Sequence, residues 1–103
     1  MNNYKNIDKS THLIFNEKDT FKVFHFNNLS DKTQLFKYSL NTNYIQLFFG
    51  IEGENCIAFN IEHCAITLAE QKSNMVYFKT DEMNLLFKIQ PKSEFIAVLI
   101  SID

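Results

Sequence analysis

The sequence has little of what most catalytic and metal-site signatures need. Its 103 residues include only 2 glycines and 1 proline. The glycines, Gly50 and Gly53, begin no helix, so no phosphate-cradling loop is present. Among the 3 histidines, His12, His25 and His63, there is no His-x-His pair, and a divalent ion needs three or four convergent nitrogen and oxygen ligands. Neither a metal nor a cofactor is expected. The 2 cysteines, Cys56 and Cys64, make no Cys-x-x-Cys unit and lack histidines at zinc-site spacing. They read as small buried hydrophobes with reduced thiols, as in a cytosolic protein. In a hairpin of residues 55–61 and 63–68, Cys64 lies opposite about Phe59, a register that does not bring it to Cys56.

Charge of one sign is also lacking. With 10 basic and 12 acidic residues and a formal net charge of −2, the chain has no electrostatic footprint for a phosphate backbone, and direct nucleic-acid binding is not expected. The longest apolar run, Phe95 to Ile100, is too short to span a bilayer. The opening stretch MNNYKNIDKSTH has no apolar leader core. The expected location is the cytoplasm, away from membranes.

What is present is core material. Hydrophobic residues make up 46% of the chain and aromatics 15%, with 11 phenylalanines. One domain over 1–103 is expected, burying roughly 65% of the surface exposed by the unfolded chain. No window carries a 3.6-residue apolar stripe. Short runs rich in Ile, Val, Phe and Tyr recur about every ten residues instead. They predict strands near His12–Asn16, Phe21–Phe26, Gln34–Leu40, Tyr44–Gly50, Cys56–Ile61, Cys64–Leu68, Met75–Phe78, Leu85–Gln90 and Phe95–Ile102. Polar clusters such as Asn27-Asn28-Leu29-Ser30-Asp31 and Pro91-Lys92-Ser93 separate them, and asparagine, tolerant of positive φ, is expected to carry much of the turn chemistry. The pattern is all-β, a double-sheet jelly roll or closed barrel.

Two of these strands are apolar on both faces. Ile45, Leu47, Phe49 and Ile51 alternate with Tyr44 and Phe48, and Phe95, Ala97 and Leu99 alternate with Ile96, Val98, Ile100 and Ile102. One face fills the barrel. The other needs a cover, because burying such aliphatics is worth about 1.5–3 kcal/mol each and leaving them wet invites edge pairing. Ile96, Val98, Ile100 and Ile102 are therefore candidates for a dimer or partner surface.

From Tyr44 onward the chain resembles the N-terminal domain of AraC-type transcription regulators. Tyr44-Ile45-Gln46-Leu47-Phe48-Phe49-Gly50-Ile51-Glu52-Gly53 is similar to that family's aromatic-x-Gln-Leu-x-Phe-x-Leu-x-Gly strand and turn. Phe59 through Leu68 resemble its next hairpin, Asn74-Met75-Val76-Tyr77 its apolar strand ending in Tyr, and Pro91 through Ile102 its Pro-x-Ser loop and closing strand. Ile61-Glu62-His63 stands where the family usually has Gly in the turn, and Phe78-Lys79 where it has Asn-Pro. The resemblance implies a cupin-like double-stranded β-helix serving as a small-molecule-sensing and dimerisation domain, without DNA-binding helices of its own. A homodimer and a small-molecule effector are the partners this implies. A metal-independent cupin-like enzyme, a sugar-binding protein and an inactive truncated fragment are the alternatives.

No catalytic residue is indicated, so the chain reads as a binding module rather than an enzyme. Glu52 with Glu54 and Asp81 with Glu82 fall in loops as solvated charges, and His63 falls in a turn. The barrel interior is the default place for a ligand. His25, Gln46, Phe48 and Tyr77 are the candidate ligand-binding residues, because polar groups inside an apolar strand need hydrogen-bond partners; the competing reading is that phenylalanines fill the space.

Overall fold

The computed structural model describes residues 4–6, 11–18, 21–40, 44–59, 64–78 and 83–102. The strands are β1 (Tyr4–Asn6), β2 (Thr11–Glu17), β3 (Phe21–Asn28), β4 (Gln34–Leu40), β5 (Tyr44–Glu52), β6 (Asn55–Phe59), β7 (Cys64–Leu68), β8 (Ser73–Phe78), β9 (Met83–Ile89) and β10 (Ser93–Ser101). All nine strands expected from the sequence are present, with ends moved by at most two residues and β4 and β7 as expected at both ends. The additional β1 is three residues of mixed polarity, too short to leave a period-two signal.

The strands form two five-stranded sheets, in the orders β1-β4-β9-β6-β7 and β2-β3-β10-β5-β8, with antiparallel pairing throughout. Alternation decides which side chains face the other sheet. Along β3 the inward positions are Lys22, Phe24, Phe26 and Asn28; along β10 they are Ser93, Phe95, Ala97 and Leu99. Phe24, Phe26, Phe36, Phe48, Phe87 and Phe95 are almost wholly buried, and their neighbouring rings lie 5.0–6.3 Å apart, centroid to centroid. Phenylalanine thus occupies the middle of the barrel, each ring contributing about 1.5–3 kcal/mol of burial.

One end of the barrel is latched by asparagine side chains. Asn28, fully buried, donates from Nδ2 to the carbonyls of Lys32, Ile89 and Gln90, and its Oδ1 accepts from the Ser30 amide and hydroxyl. Asn55 Oδ1 accepts from the Gln90 amide at 2.9 Å and from Ser93 Oγ at 2.7 Å. Asn28, accepting the amide two residues on, does carry turn chemistry as expected, through its side chain rather than through a positive φ. The positive-φ positions among the described residues are Gln71, Lys92 and Gly53, while these asparagines act by hydrogen-bonding loop backbone.

The cysteine reading is also corrected. In the β6–β7 hairpin a register shift after Ile57 places Cys64 opposite Ala58 rather than Phe59. Cys56 is disulfide-bonded and no cysteine is free, so the thiols are not reduced as expected. Bulges re-aim strand positions in this way, and the sequence pattern gave no sign of one here. No helix among the described residues is long and apolar enough to cross a membrane.

Candidate functional site

The end of the barrel opposite the asparagine latch carries the inward polar cluster. Glu17 ends β2 and Lys22 is the second residue of β3, directly opposite each other in register, and next to them the Lys18 amide donates to the Phe21 carbonyl. Opposite charges so placed attract across the strands. Lys22 Nζ lies 3.2 Å from Glu17 Oε2 and donates to the Tyr44 hydroxyl at 2.8 Å. It is also 4.9 Å from the Tyr44 ring centre. The shorter contact decides the geometry, with the ammonium beside the hydroxyl rather than over the ring. From the facing sheet, Tyr38 donates its hydroxyl to Glu17 Oε2 at 3.1 Å.

Both tyrosines are buried, and the Lys22 and Glu17 side chains are 12% and 47% exposed. Burial works against the Lys22 charge. Hydrogen bonds to Tyr44 and Glu17, and their charges, outweigh that effect and hold its pKa above the ordinary 10.5. Phe15 forms the wall behind, stacked on Phe24 at 4.5 Å and edge-on to Tyr38 at 5.8 Å.

The expected interior residues distribute unevenly. Gln46 and Phe48 do face inward and are buried, Gln46 in the same cross-strand row as Lys22 with Leu99 between them. His25 does not. Its neighbours Phe24 and Phe26 take the inward positions, and His25 points outward to pair with Glu94, Nε2 to Oε2 at 2.6 Å. Tyr77 has its backbone opposite Ile45, and its side chain lies outside the described residues, as does that of His12; His63 lies outside them altogether. The backbone of His12 faces Asn27, while Ile14 faces His25. Sequence reasoning missed Glu17, Lys22, Tyr38 and Tyr44. The signal for Lys22 was its parity with Phe24 and Phe26, which turns a strand lysine inward.

The outer face of the β2-β3-β10-β5-β8 sheet is a second feature. Register sets its side chains in cross-strand rows: Asn16, Val23, Val98, Leu47 and Met75 in one, Ile14, His25, Ile96, Phe49 and Ser73 beside it, and Phe21, Ile100 and Ile45 on the other side. Met75 is 73% exposed and Ile14 63%, and Phe21, Phe49, Ile51, Ile100 and Ile102 are also exposed. Of the four aliphatics expected on this face, Ile96, Val98 and Ile100 lie in its rows, while Ile102 follows the end of β10 and is exposed.

No family model matches the sequence, and no curated protein matches it. Solved structures do match. An RmlC-like cupin protein from Desulfovibrio desulfuricans aligns with a TM-score of 0.64 at 13% identity, covering 94% of this chain and 88% of that one. KdgF from Halomonas aligns at 0.55 and 9% identity, covering 94% and 85%. Fe(II) HppE aligns at 0.57 and 13% identity, covering 95% of this chain and 55% of that one. The fold is thus the cupin double-stranded β-helix, as expected. Because KdgF and HppE are enzymes, the exclusion of enzymatic activity drawn from the sequence does not stand; missing linear motifs say nothing about side chains that a barrel brings together from distant strands. Among the described residues no three His, Cys, Asp or Glu side chains are grouped to hold a metal ion.

Proposed function

We propose, taking the cupin double-stranded β-helix as premise, that this chain is the small-molecule-sensing domain of an AraC-type regulator and binds a neutral polyhydroxylated ligand at the Glu17–Lys22–Tyr44 end of its barrel. One observation carries the reading. Lys22 uses two of its three N–H donors, on Tyr44 and Glu17, and Tyr44 accepts from Lys22 without an acceptor for its own proton among the described residues. Two unspent donors thus sit together beside a half-exposed carboxylate. Buried donors of this kind ordinarily find a partner.

A hydroxyl group suits all three. It accepts from Lys22 or Tyr44 and donates to Glu17, while the rings of Phe15 and Tyr38 supply apolar contact. The charges of Lys22 and Glu17 cancel, which favours a neutral ligand over an anion that Glu17 would repel. The resemblance to AraC-type domains from Tyr44 onward supports the regulatory context.

Calorimetric titration with a panel of sugars, polyols and small acids tests the reading. A bound polyol whose affinity falls about tenfold or more in Lys22→Met, and also falls in Tyr44→Phe, supports it. Binding unchanged in both variants, or confined to carboxylic acids, overturns it. Because this fold includes enzymes, the ligand is recovered and checked by NMR; conversion would replace sensing with catalysis at the same cluster.

A further inference from the structure

The chain has 2 cysteines and neither is free, so the partner of Cys56 is Cys64. Their bond links β6 to β7, the strand at the edge of the β1-β4-β9-β6-β7 sheet. We infer that it is a thiol-exchange site: a small monothiol forms a mixed disulfide with Cys64, and Cys56 departs as a thiolate stabilised by Lys88.

Position and charge carry the assignment. Along β6, Asn55 and Ile57 take the inward, buried positions, which turns the half-buried Cys56 to the outer face of its sheet. There it stands in one cross-strand row with the exposed Thr67 on β7 and with Lys88 on β9. Directly opposed side chains on one face have Cβ atoms about 4.5–5.5 Å apart, which puts the sulfur within reach of the lysine ammonium. Lys88 has no ion pair among the described residues, and the five strands of this sheet contain no Asp or Glu. Its neighbour on the other side is Leu35, and the next row adds a second cation, Lys37, opposite Leu86. The described acidic residues nearest the ends of β6 and β7, Glu54 and Glu70, are exposed in the connections, where Glu70 accepts from the Gly53 amide.

That charge sets the direction of exchange. A disulfide opens when an external thiolate attacks one sulfur and the other leaves as a thiolate, and the more stable thiolate leaves faster. The cation beside Cys56 stabilises its thiolate, so Cys56 is the leaving group and Cys64 the sulfur attacked. One S–S bond forms as one breaks. A second equivalent of thiol then releases both cysteines reduced, and the small thiol is oxidised to its own disulfide.

The test treats the full chain with 2-mercaptoethanol under native conditions, quenches it with N-ethylmaleimide and maps the products by mass spectrometry. The expected first product carries mercaptoethanol on Cys64 and maleimide on Cys56. Lys88→Met slows the reaction about three- to tenfold, the effect of one charge a few ångströms away near the surface, and Lys88→Arg keeps the wild-type rate. Any loss of stability in Lys88→Met would speed a reaction that passes through unfolding, so slowing reports on the native face. A bond that opens only after urea is added overturns the inference. So does a rate unchanged or raised in Lys88→Met, or a mixed disulfide formed mainly on Cys56.

Discussion

Replacing Gly50 with alanine adds one methyl group where the backbone of another strand connection passes close by. The new Cβ would stand 2.1 Å from the carbonyl oxygen of Ala69, where ordinary contact begins at 3.4 Å. The obstacle is backbone, so no side-chain rotation relieves it. The β7–β8 turn must retreat by more than an ångström, which strains the Gly50 amide bond to the Lys72 carbonyl and the Gln71 amide bond to the Gly50 carbonyl, 2.8 and 3.0 Å long. Overpacking of this kind costs about 1–3 kcal/mol, and each weakened hydrogen bond about 0.5–1.5. The sum, about 2–6 kcal/mol, is a large part of the roughly 5–15 kcal/mol that holds a small domain folded. Urea unfolding followed by circular dichroism, with calorimetry alongside, should show the midpoint fall and the melting temperature drop by roughly 8–30 °C, at about 4–5 °C per kcal/mol for a chain of this size. A loss below about 1 kcal/mol would refute the reasoning, since it would mean that the turn shifts without cost.

Three further outcomes follow from the same structure. Gln71→Gly should stabilise the protein by up to about 1 kcal/mol, because the exposed Gln71 holds φ at 58°, where a side chain costs about 1–2 kcal/mol and glycine loses part of that in chain entropy; the urea midpoint should rise at constant slope. Asn28→Asp should cost more than Asn28→Ala at neutral pH, since a carboxylate would face the carbonyls of Lys32, Ile89 and Gln90, and the gap should narrow on acidification as the aspartate takes up a proton that donates to one of them; equal losses at every pH would contradict the donor role. Lys22 has a raised pKa in the fold, so its contribution is fully present below its ordinary 10.5 and is lost as pH rises through the folded value; alkaline unfolding of Lys22→Met should lack that part of the wild-type loss.

Alternation made most of the architecture legible. Strand positions rich in Phe and Ile announced themselves, and the two-faced character of residues 44–51 and 95–102 correctly located both the core and the outer apolar surface. Parity along one strand was also available and went unused at His25 and Lys22. Phe24 and Phe26 fix the inward positions of β3, which excludes His25 from the interior and admits Lys22. Partners across strands were not legible. Nothing local joins Tyr38 to Glu17, 21 positions away, or Lys22 to Tyr44, 22 positions away. The register shift in the β6–β7 hairpin, which decides where Cys64 lies, has no residue signature either, because a bulge costs one extra residue and can fall at several places with the same composition.

The place of β10 also governs how the barrel is made. It lies between β3 and β5, and its Glu94 reaches back 69 positions to His25. A chain emerging from the ribosome therefore holds two incomplete half-sheets, a β2–β3 hairpin and a β5–β8 pair, each with a bare hydrogen-bonding edge, until this strand is synthesised. Its insertion joins both through contacts of long sequence separation, the kind of pairing that slows folding and leaves strand edges open until it is made.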